Sequence, residues 1–219
     1  MIVAKQKSLE EIRQMIEGYE RILLLGCGTC VAICMAGGDR EVAVLASSLR
    51  LADKISSKNR MFREHTVERQ CEWEFLDTIE EQVKEVDAIL SLGCGVGVQA
   101  ISERFPKIAV LPGLNTLSMG MPQEEGVWVE RCSGCGNCIL HKTGGICPIT
   151  RCAKSLLNGP CGGSVGGKCE IDPDTPCAWQ TIYDRLADMG QLDKLQEIEP
   201  VKDWSTSLAG GPRKITIAA

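Results

Sequence analysis

The sequence predicts an α/β protein whose N-terminal domain, residues 1–130, is a doubly wound parallel sheet with cysteines in strand-end loops. A small irregular cysteine-rich iron-sulfur domain, residues 131–178, and a C-terminal helix with an extended tail, residues 179–219, are predicted to follow. Two observations favour this order. Short apolar runs alternate with helical patterns in the first part, and eight of the 13 cysteines crowd into the 46 residues from Cys132 to Cys177.

The elements of the first domain follow in order along the chain. Ser8 and Glu11 have the spacing of a capping box, which predicts that a helix begins after Ser8. Apolar runs of the kind found in strands buried on both faces of a parallel sheet lie at residues 22–26, 42–46, 88–93 and 108–112. Helical patterns lie around residues 47–55, 77–86 and 96–105. Strands alternating with helices in this way indicate a doubly wound domain.

A short internal repeat connects two of the predicted strand ends. Residues 23–31 match residues 90–98 at six of nine positions, and each copy contains Leu-Gly-Cys-Gly. Because ligands of open α/β sheets bind beyond the carboxyl ends of the strands, Cys27 and Cys94 are expected in one crevice. Together with Cys30 and Cys34 they are predicted to bind a cluster or a metal ion. A dinucleotide site is the alternative, but neither glycine pattern completes G-x-G-x-x-G.

Cys71 is the remaining cysteine of the first domain. It is interpreted as a buried, non-ligating residue in a strand-like run beside Trp73, with ligation as the alternative.

Composition and charge argue against several classes of protein. The formal net charge is −5 and no block of Lys and Arg is present, which argues against nucleic-acid binding. No apolar run approaches the roughly 18 residues of a membrane helix. The N-terminal residues lack the apolar core of a signal peptide, so we expect a cytoplasmic location. Thiols are kept reduced there, and 13 cysteines then fit cluster or metal ligation better than disulfides.

The cysteine-rich segment begins with a ferredoxin-like motif. Cys132, Cys135 and Cys138 form C-x2-C-x2-C, and a Cys147-Pro pair follows after eight intervening residues instead of three. Zinc sites commonly use two pairs of cysteines, so the third cysteine of the motif favours a [4Fe-4S] cluster over zinc.

A second set of four cysteines follows at spacings of 9, 8 and 8 residues, for which both a cluster and zinc stay open. Nine glycines and four prolines lie between residues 132 and 177, so this segment buries little apolar surface and needs a bound ligand to fold. The four residues of this set are Cys152, Cys161, Cys169 and Cys177.

Residues 151–163 read Arg-Cys-Ala-Lys-Ser-Leu-Leu-Asn-Gly-Pro-Cys-Gly-Gly, with Gly-Lys-Cys-Glu at 167–170 and Cys-Ala-Trp-Gln at 177–180. These motifs resemble MetV, the small iron-sulfur subunit of the two-subunit methylenetetrahydrofolate reductases of acetogens and related anaerobes. The resemblance extends over nearly the whole chain, including the Leu-Gly-Cys-Gly repeats.

The resemblance implies an electron-transfer subunit with two or three [4Fe-4S] clusters and zinc as an option at one site. Its partner would be a MetF-type barrel that binds FMN or FAD and reduces methylene-tetrahydrofolate to methyl-tetrahydrofolate. The electrons would come from a ferredoxin-like or heterodisulfide-reductase-like donor. No activity is expected of the chain alone, which lacks the eight strand-helix units of a barrel. The alternative is a zinc-stabilised scaffold subunit without redox function.

The assignment of ligands to clusters stays open. Thirteen cysteines admit three four-cysteine sites with one residue left over, and the first would use Cys27, Cys30, Cys34 and Cys94. A local scheme groups the ferredoxin-like motif with Cys147 and keeps the last four cysteines together. In two-cluster ferredoxins the fourth cysteine of the run serves the other cluster, so Cys147 is exchanged in the alternative scheme.

Overall fold

The computed structural model describes residues 1–209 and residue 215, and the chain divides into two compact units. The first unit contains residues 1–118 and 122–128, and the second contains residues 119–121 and 129 onward.

Thirteen helices and strands lie between residues 2 and 132. They are β1 (Ile2–Gln6), α1 (Leu9–Met15), β2 (Arg21–Cys27), α2 (Cys30–Ile33), α3 (Asp39–Ile55), β3 (Met61–Val67), α4 (Trp73–Asp77), α5 (Glu80–Val83), β4 (Ala88–Ser91), α6 (Gly95–Arg104), β5 (Ala109–Pro112), β6 (Leu114–Glu124) and β7 (Val127–Cys132).

Four parallel strands form the central sheet, in the order β3-β2-β4-β5. Ile22 and Leu24 of β2 pack into the core that contains residues of α1 and α3. Leu23 and Leu25 point to the other face and pack with residues of α4, α5 and α6. Helices therefore cover both faces, and the predicted α/β class with a parallel sheet is confirmed. The strand order reverses between β2 and β4, which is where open α/β sheets bind ligands.

Several predicted elements are confirmed. The strands predicted at 22–26, 88–93 and 108–112 correspond to β2, β4 and β5, and the helix predicted at 96–105 corresponds to α6. Ser8 caps α1, where its hydroxyl accepts a hydrogen bond from the backbone N–H of Glu11 at 3.1 Å.

The strand predicted at residues 42–46 is wrong, because these residues lie within α3. The Glu41 carboxylate accepts a hydrogen bond from the Gly38 N–H at 2.9 Å and so caps the helix start. Val42, Leu45 and Leu49 are buried at helical spacing, whereas Val44 is exposed on the opposite side. A five-residue apolar run is therefore too short to distinguish a strand from a buried helix turn.

Four strands and one helix also differ from the prediction. The strands β1, β3, β6 and β7 were not predicted, and β3 is an edge strand whose charged residues hide the strand pattern. The helix predicted at residues 77–86 is the last residue of α4 followed by the short helix α5.

A second sheet has the strand order β1-β6-β7. Only Glu125 and Gly126 separate β6 from β7, and Gly126 has a φ of +79°, so the two strands form a tight antiparallel hairpin.

The second unit contains little regular structure. Its helices are α7 (Pro148–Arg151) and α8 (Ala178–Asp188), and short 3₁₀ turns span Leu192–Gln196 and Trp204–Thr206. The helix predicted after residue 178 is α8, whose Trp179, Ile182 and Leu186 are buried. The extended tail is predicted from Glu199 onward, but Trp204–Thr206 within it form a 3₁₀ turn. Its residues 210–214 and 216–219 lie outside the described residues. Within residues 1–209, no helix has the length and apolar character needed to cross a membrane.

Candidate metal centres

Four cysteines of the second unit line one cavity, which we call the four-cysteine cavity. They are the last four cysteines of the chain, and the space between them measures about 20 Å³. Arg151, Lys154, Glu170 and Trp179 also line it. The cysteines are Cys152, Cys161, Cys169 and Cys177.

Short backbone contacts position these cysteines. Cys152 ends α7 and the buried Cys177 caps the start of α8. The N–H of Cys177 donates to the Gly167 carbonyl at 2.8 Å, and the N–H of Cys169 donates to the Thr175 carbonyl at 2.9 Å. Residues far apart in the sequence are thus fixed around one space without a large apolar core.

The Cys169 sulfur lies in a ring of backbone donors. Hydrogen bonds from the N–H groups of Ile171 and Asp172, and then that of Ala153, lower the pKa of the Cys169 thiol. Donors of this kind favour the thiolate, which is the form that binds metals. The local electrostatics therefore suit a metal-ligating cysteine.

The glycines of the Asn-Gly-Pro-Cys-Gly-Gly motif have a packing reason. A Cβ atom on Gly159 would overlap the indole of Trp179, and one on Gly163 would overlap the Glu170 carboxylate. Trp179 is further fixed by a 3.0 Å hydrogen bond from its Nε1 to the Leu156 carbonyl. The motif thus brings its backbone close to the cavity wall.

The ferredoxin-like motif forms an irregular loop. The Cys132 sulfur accepts a hydrogen bond from the Gly134 N–H at 3.4 Å, and Gly134 and Gly136 have φ values of +62° and +78°. Cys132 and Cys138 are exposed. The loop thus has a backbone N–H group turned toward the Cys132 sulfur, as cluster-binding loops do.

The remaining predicted ligand of this segment, Cys147, is half-buried and caps the start of α7. Among residues 1–209 and 215, no three His, Cys, Asp or Glu side chains are arranged to hold a single metal ion.

In the first unit, the repeat places two cysteines at neighbouring strand ends. Cys27 is the last residue of β2, and Cys94 caps the start of α6 just after β4. Since β2 pairs directly with β4, both residues lie at the point where the strand order reverses. Cys30 is half-buried and is the first residue of α2.

Cys34 and Cys27 are both buried, at 7% and 8% exposed, and both belong to the apolar core of the first unit, against which Cys94 also packs. The Cys34 thiol donates to the carbonyls of Ala4 and Val31, at 3.7 and 3.6 Å. The side chain is thus satisfied inside the core.

The interpretation of Cys71 as a buried strand residue is wrong. Cys71 is exposed and lies in a turn between β3 and α4. Desolvation of its sulfur raises the pKa of the Cys71 thiol, and the thiols of Cys27 and Cys94 raise it further. Cys71 therefore lies close enough to both strand-end cysteines to interact with them electrostatically.

Gln70 is a positioning residue that the sequence analysis missed. It is 1% exposed, and its Nε2 donates to the Leu25 carbonyl at 2.7 Å while its Oε1 accepts from the Ser91 hydroxyl at 2.6 Å. Cβ atoms on Gly93 and Gly97 would press into the Gln70 side chain. Glycine at these two positions leaves room for the Gln70 amide. The one sequence signal for this contact was the pair of glycines itself, which indicates that another group approaches the backbone closely.

Comparison with known families gives one match. Residues 111–205 match the family described as "Methylene-tetrahydrofolate reductase C terminal". Over these residues the chain is similar to methylene-tetrahydrofolate reductases. The matched span contains the ferredoxin-like motif and the four-cysteine cavity. No curated protein and no solved structure gives a significant match.

Proposed function

We propose that this chain is a MetV-type iron-sulfur electron-transfer subunit of a methylene-tetrahydrofolate reductase. It passes electrons to the flavin, FMN or FAD, of a MetF-type catalytic partner, which reduces methylene-tetrahydrofolate to methyl-tetrahydrofolate. The donor is a ferredoxin-like or heterodisulfide-reductase-like protein. The related family over residues 111–205 supports the choice of enzyme.

The four-cysteine cavity is the observation that carries this proposal. Four cysteines that line one cavity form the ligand set that a [4Fe-4S] cluster takes. The C-x2-C-x2-C motif of the same unit is typical of cluster-binding proteins and favours a cluster over zinc.

The chain itself would hold and tune such a cluster. Cys152, Cys161, Cys169 and Cys177 would supply the thiolates, and the ferredoxin-like motif with Cys147 would hold a second cluster. A bound [4Fe-4S] cluster supplies one-electron transfer. The N–H donors around the Cys169 sulfur stabilise negative charge there, which is one of the ways in which proteins set a cluster potential.

Metal analysis of anaerobically isolated protein tests the proposal. We expect roughly 8 to 12 iron atoms per chain, with matching sulfide, from two or three cubanes. Cys161→Ser is the informative variant, because Cys161 is exposed and its loss does not open the core. It should remove about one cubane of iron and one paramagnetic signal of the reduced protein.

Ser164→Ala is the matched control, since Ser164 lines the same cavity without a thiol. It should keep the wild-type iron content and spectrum. Iron near zero with two or more zinc ions per chain would refute electron transfer. That result would favour a zinc-stabilised scaffold, for which the backbone donors at Cys169 also suit the ligand.

A second test addresses the division of labour. The isolated chain should neither bind flavin nor reduce methylene-tetrahydrofolate with an artificial donor, and activity should require the partner. Turnover by the chain alone would refute the assignment of chemistry to a partner subunit.

A further inference from the structure

We propose that Cys27, Cys71 and Cys94 are ligands of one thiolate-bound centre in the first unit, with Cys30 as the fourth ligand and Cys34 as a core residue. The proposal deepens the proposed function and rests on it for the choice of an iron-sulfur cluster as the ligand.

The topology brings two of these cysteines together. β2 and β4 are parallel neighbours, and Cys27 and Cys94 follow their carboxyl ends. The strand order reverses between them, which opens a crevice that no strand crossover covers. Cys30 lies three residues after Cys27, so the two form the C-x2-C pair common in thiolate sites.

The segment after β3 carries Cys71 to the same place. The Gly28 N–H donates to the carbonyls of Val67 and Glu68, at 2.9 and 3.1 Å. The Cys27 sulfur lies 3.8 Å from the Glu68 carbonyl oxygen. This segment therefore passes directly beside the end of β2.

Gln70, the residue before Cys71, is fixed by its own hydrogen bonds. Its buried amide spans β2 and β4 through Leu25 and Ser91. Because Gln70 is held at both ends of its amide, its neighbour Cys71 is held at the strand-order reversal.

Hydrogen-bond partners separate Cys34 from the group, since Cys34 and Cys27 are about equally buried. The Cys34 thiol donates to the carbonyls of Ala4 in β1 and Val31 in α2, whereas the Cys27 sulfur lies beside the Glu68 carbonyl in the segment that leads to Cys71. Cys71 is exposed, which leaves it open to an incoming metal or cluster. The fourth cysteine predicted from sequence spacing is thus replaced by one 37 residues further along the chain.

Single-cysteine variants of the full chain, reconstituted anaerobically with iron and sulfide, test the ligand set. Cys71→Ser and Cys94→Ser should each lose about one cubane of iron and the same paramagnetic signal. Cys34→Ala should keep both, provided that its circular dichroism shows a folded chain. Loss of the signal in Cys34→Ala with retention in Cys71→Ser would overturn the proposal.

Cadmium binding to the metal-free chain gives a second readout that does not depend on iron. Cys71→Ser should remove part of the thiolate-to-cadmium absorption of the wild type, and Cys34→Ala should not. If iron is absent from all reconstituted proteins but this cadmium difference persists, the proposed electron transfer fails while the thiolate site stands. Equal cadmium absorption in wild type and Cys71→Ser would overturn the site.

Discussion

Replacing Gln70 with methionine should loosen the strand-order reversal without opening a cavity, because the two side chains have similar length and volume. The variant removes two buried hydrogen bonds, one to the Leu25 carbonyl and one from the Ser91 hydroxyl. The Leu25 carbonyl also accepts from the Leu92 N–H at 2.8 Å, so it stays paired and loses one bond, worth about 0.5–1.5 kcal/mol.

The Ser91 hydroxyl, in contrast, loses its buried acceptor. An unsatisfied buried donor costs about 1–3 kcal/mol. Together with the lost bond to Leu25, this should lower the free energy needed to open β2 and β4 by about 2–4 kcal/mol in Gln70→Met. This is a large part of the 5–15 kcal/mol stability typical of a domain.

Hydrogen exchange of the β2 and β4 amides measures this loss locally. Gln99→Met is the matched control, since Gln99 is exposed on α6 and should change protection by less than about 0.5 kcal/mol. Unchanged hydrogen-exchange protection of the β2 and β4 amides in Gln70→Met would refute the role of Gln70 in holding these two strands together.

Three further outcomes are expected. Asp53→Ala should destabilise the first unit by about 3–5 kcal/mol in urea unfolding, because it leaves the buried guanidinium of Arg60 unpaired; a loss below 1 kcal/mol would contradict this. The hydrogen bond from Arg60 holds the pKa of Asp53 below its usual value. The difference in unfolding free energy between wild type and Asp53→Ala should therefore be complete above about pH 4 and disappear as the pH falls through the lowered pKa. A difference that does not change with pH would disprove this linkage. Gly159→Ala should displace the Trp179 indole and weaken binding at the four-cysteine cavity, seen as changed tryptophan fluorescence and lower iron content. Ser164→Ala, at the same cavity, should keep both, and wild-type iron in Gly159→Ala would contradict the packing argument.

The parallel sheet was predictable because its central strands are buried on both faces and read as unbroken apolar runs. Ile22 to Leu25 and Ala88 to Leu90 carry that signal without ambiguity. The run at residues 42–46 has the same composition, and only the capping contact of Glu41 with Gly38 shows that it is helical. β3 was missed because an edge strand exposes charged side chains.

The candidate sites also contain features that the sequence predicted and features that it did not. One of the two schemes that spacing left open keeps the last four cysteines together, and these four, which follow one another within 26 residues, line one cavity. The neighbourhood of Cys71 was not predictable, because it depends on a loop that crosses the sheet end and on a hydrogen bond between Gln70 and Ser91, 21 residues away. Such long-range contacts leave no periodic pattern in the sequence.

The two units also differ in what they need in order to fold. The first unit buries two extended apolar clusters on either face of a sheet, so it has the material to fold as soon as it leaves the ribosome. The apolar cluster of the second unit consists of Cys177, Trp179, Ile182 and Leu186 with three half-buried neighbours. If the second unit holds the proposed clusters, a cell short of iron would accumulate chains with a protected N-terminal half and a protease-sensitive C-terminal half. Turnover of this protein would then report on cofactor supply.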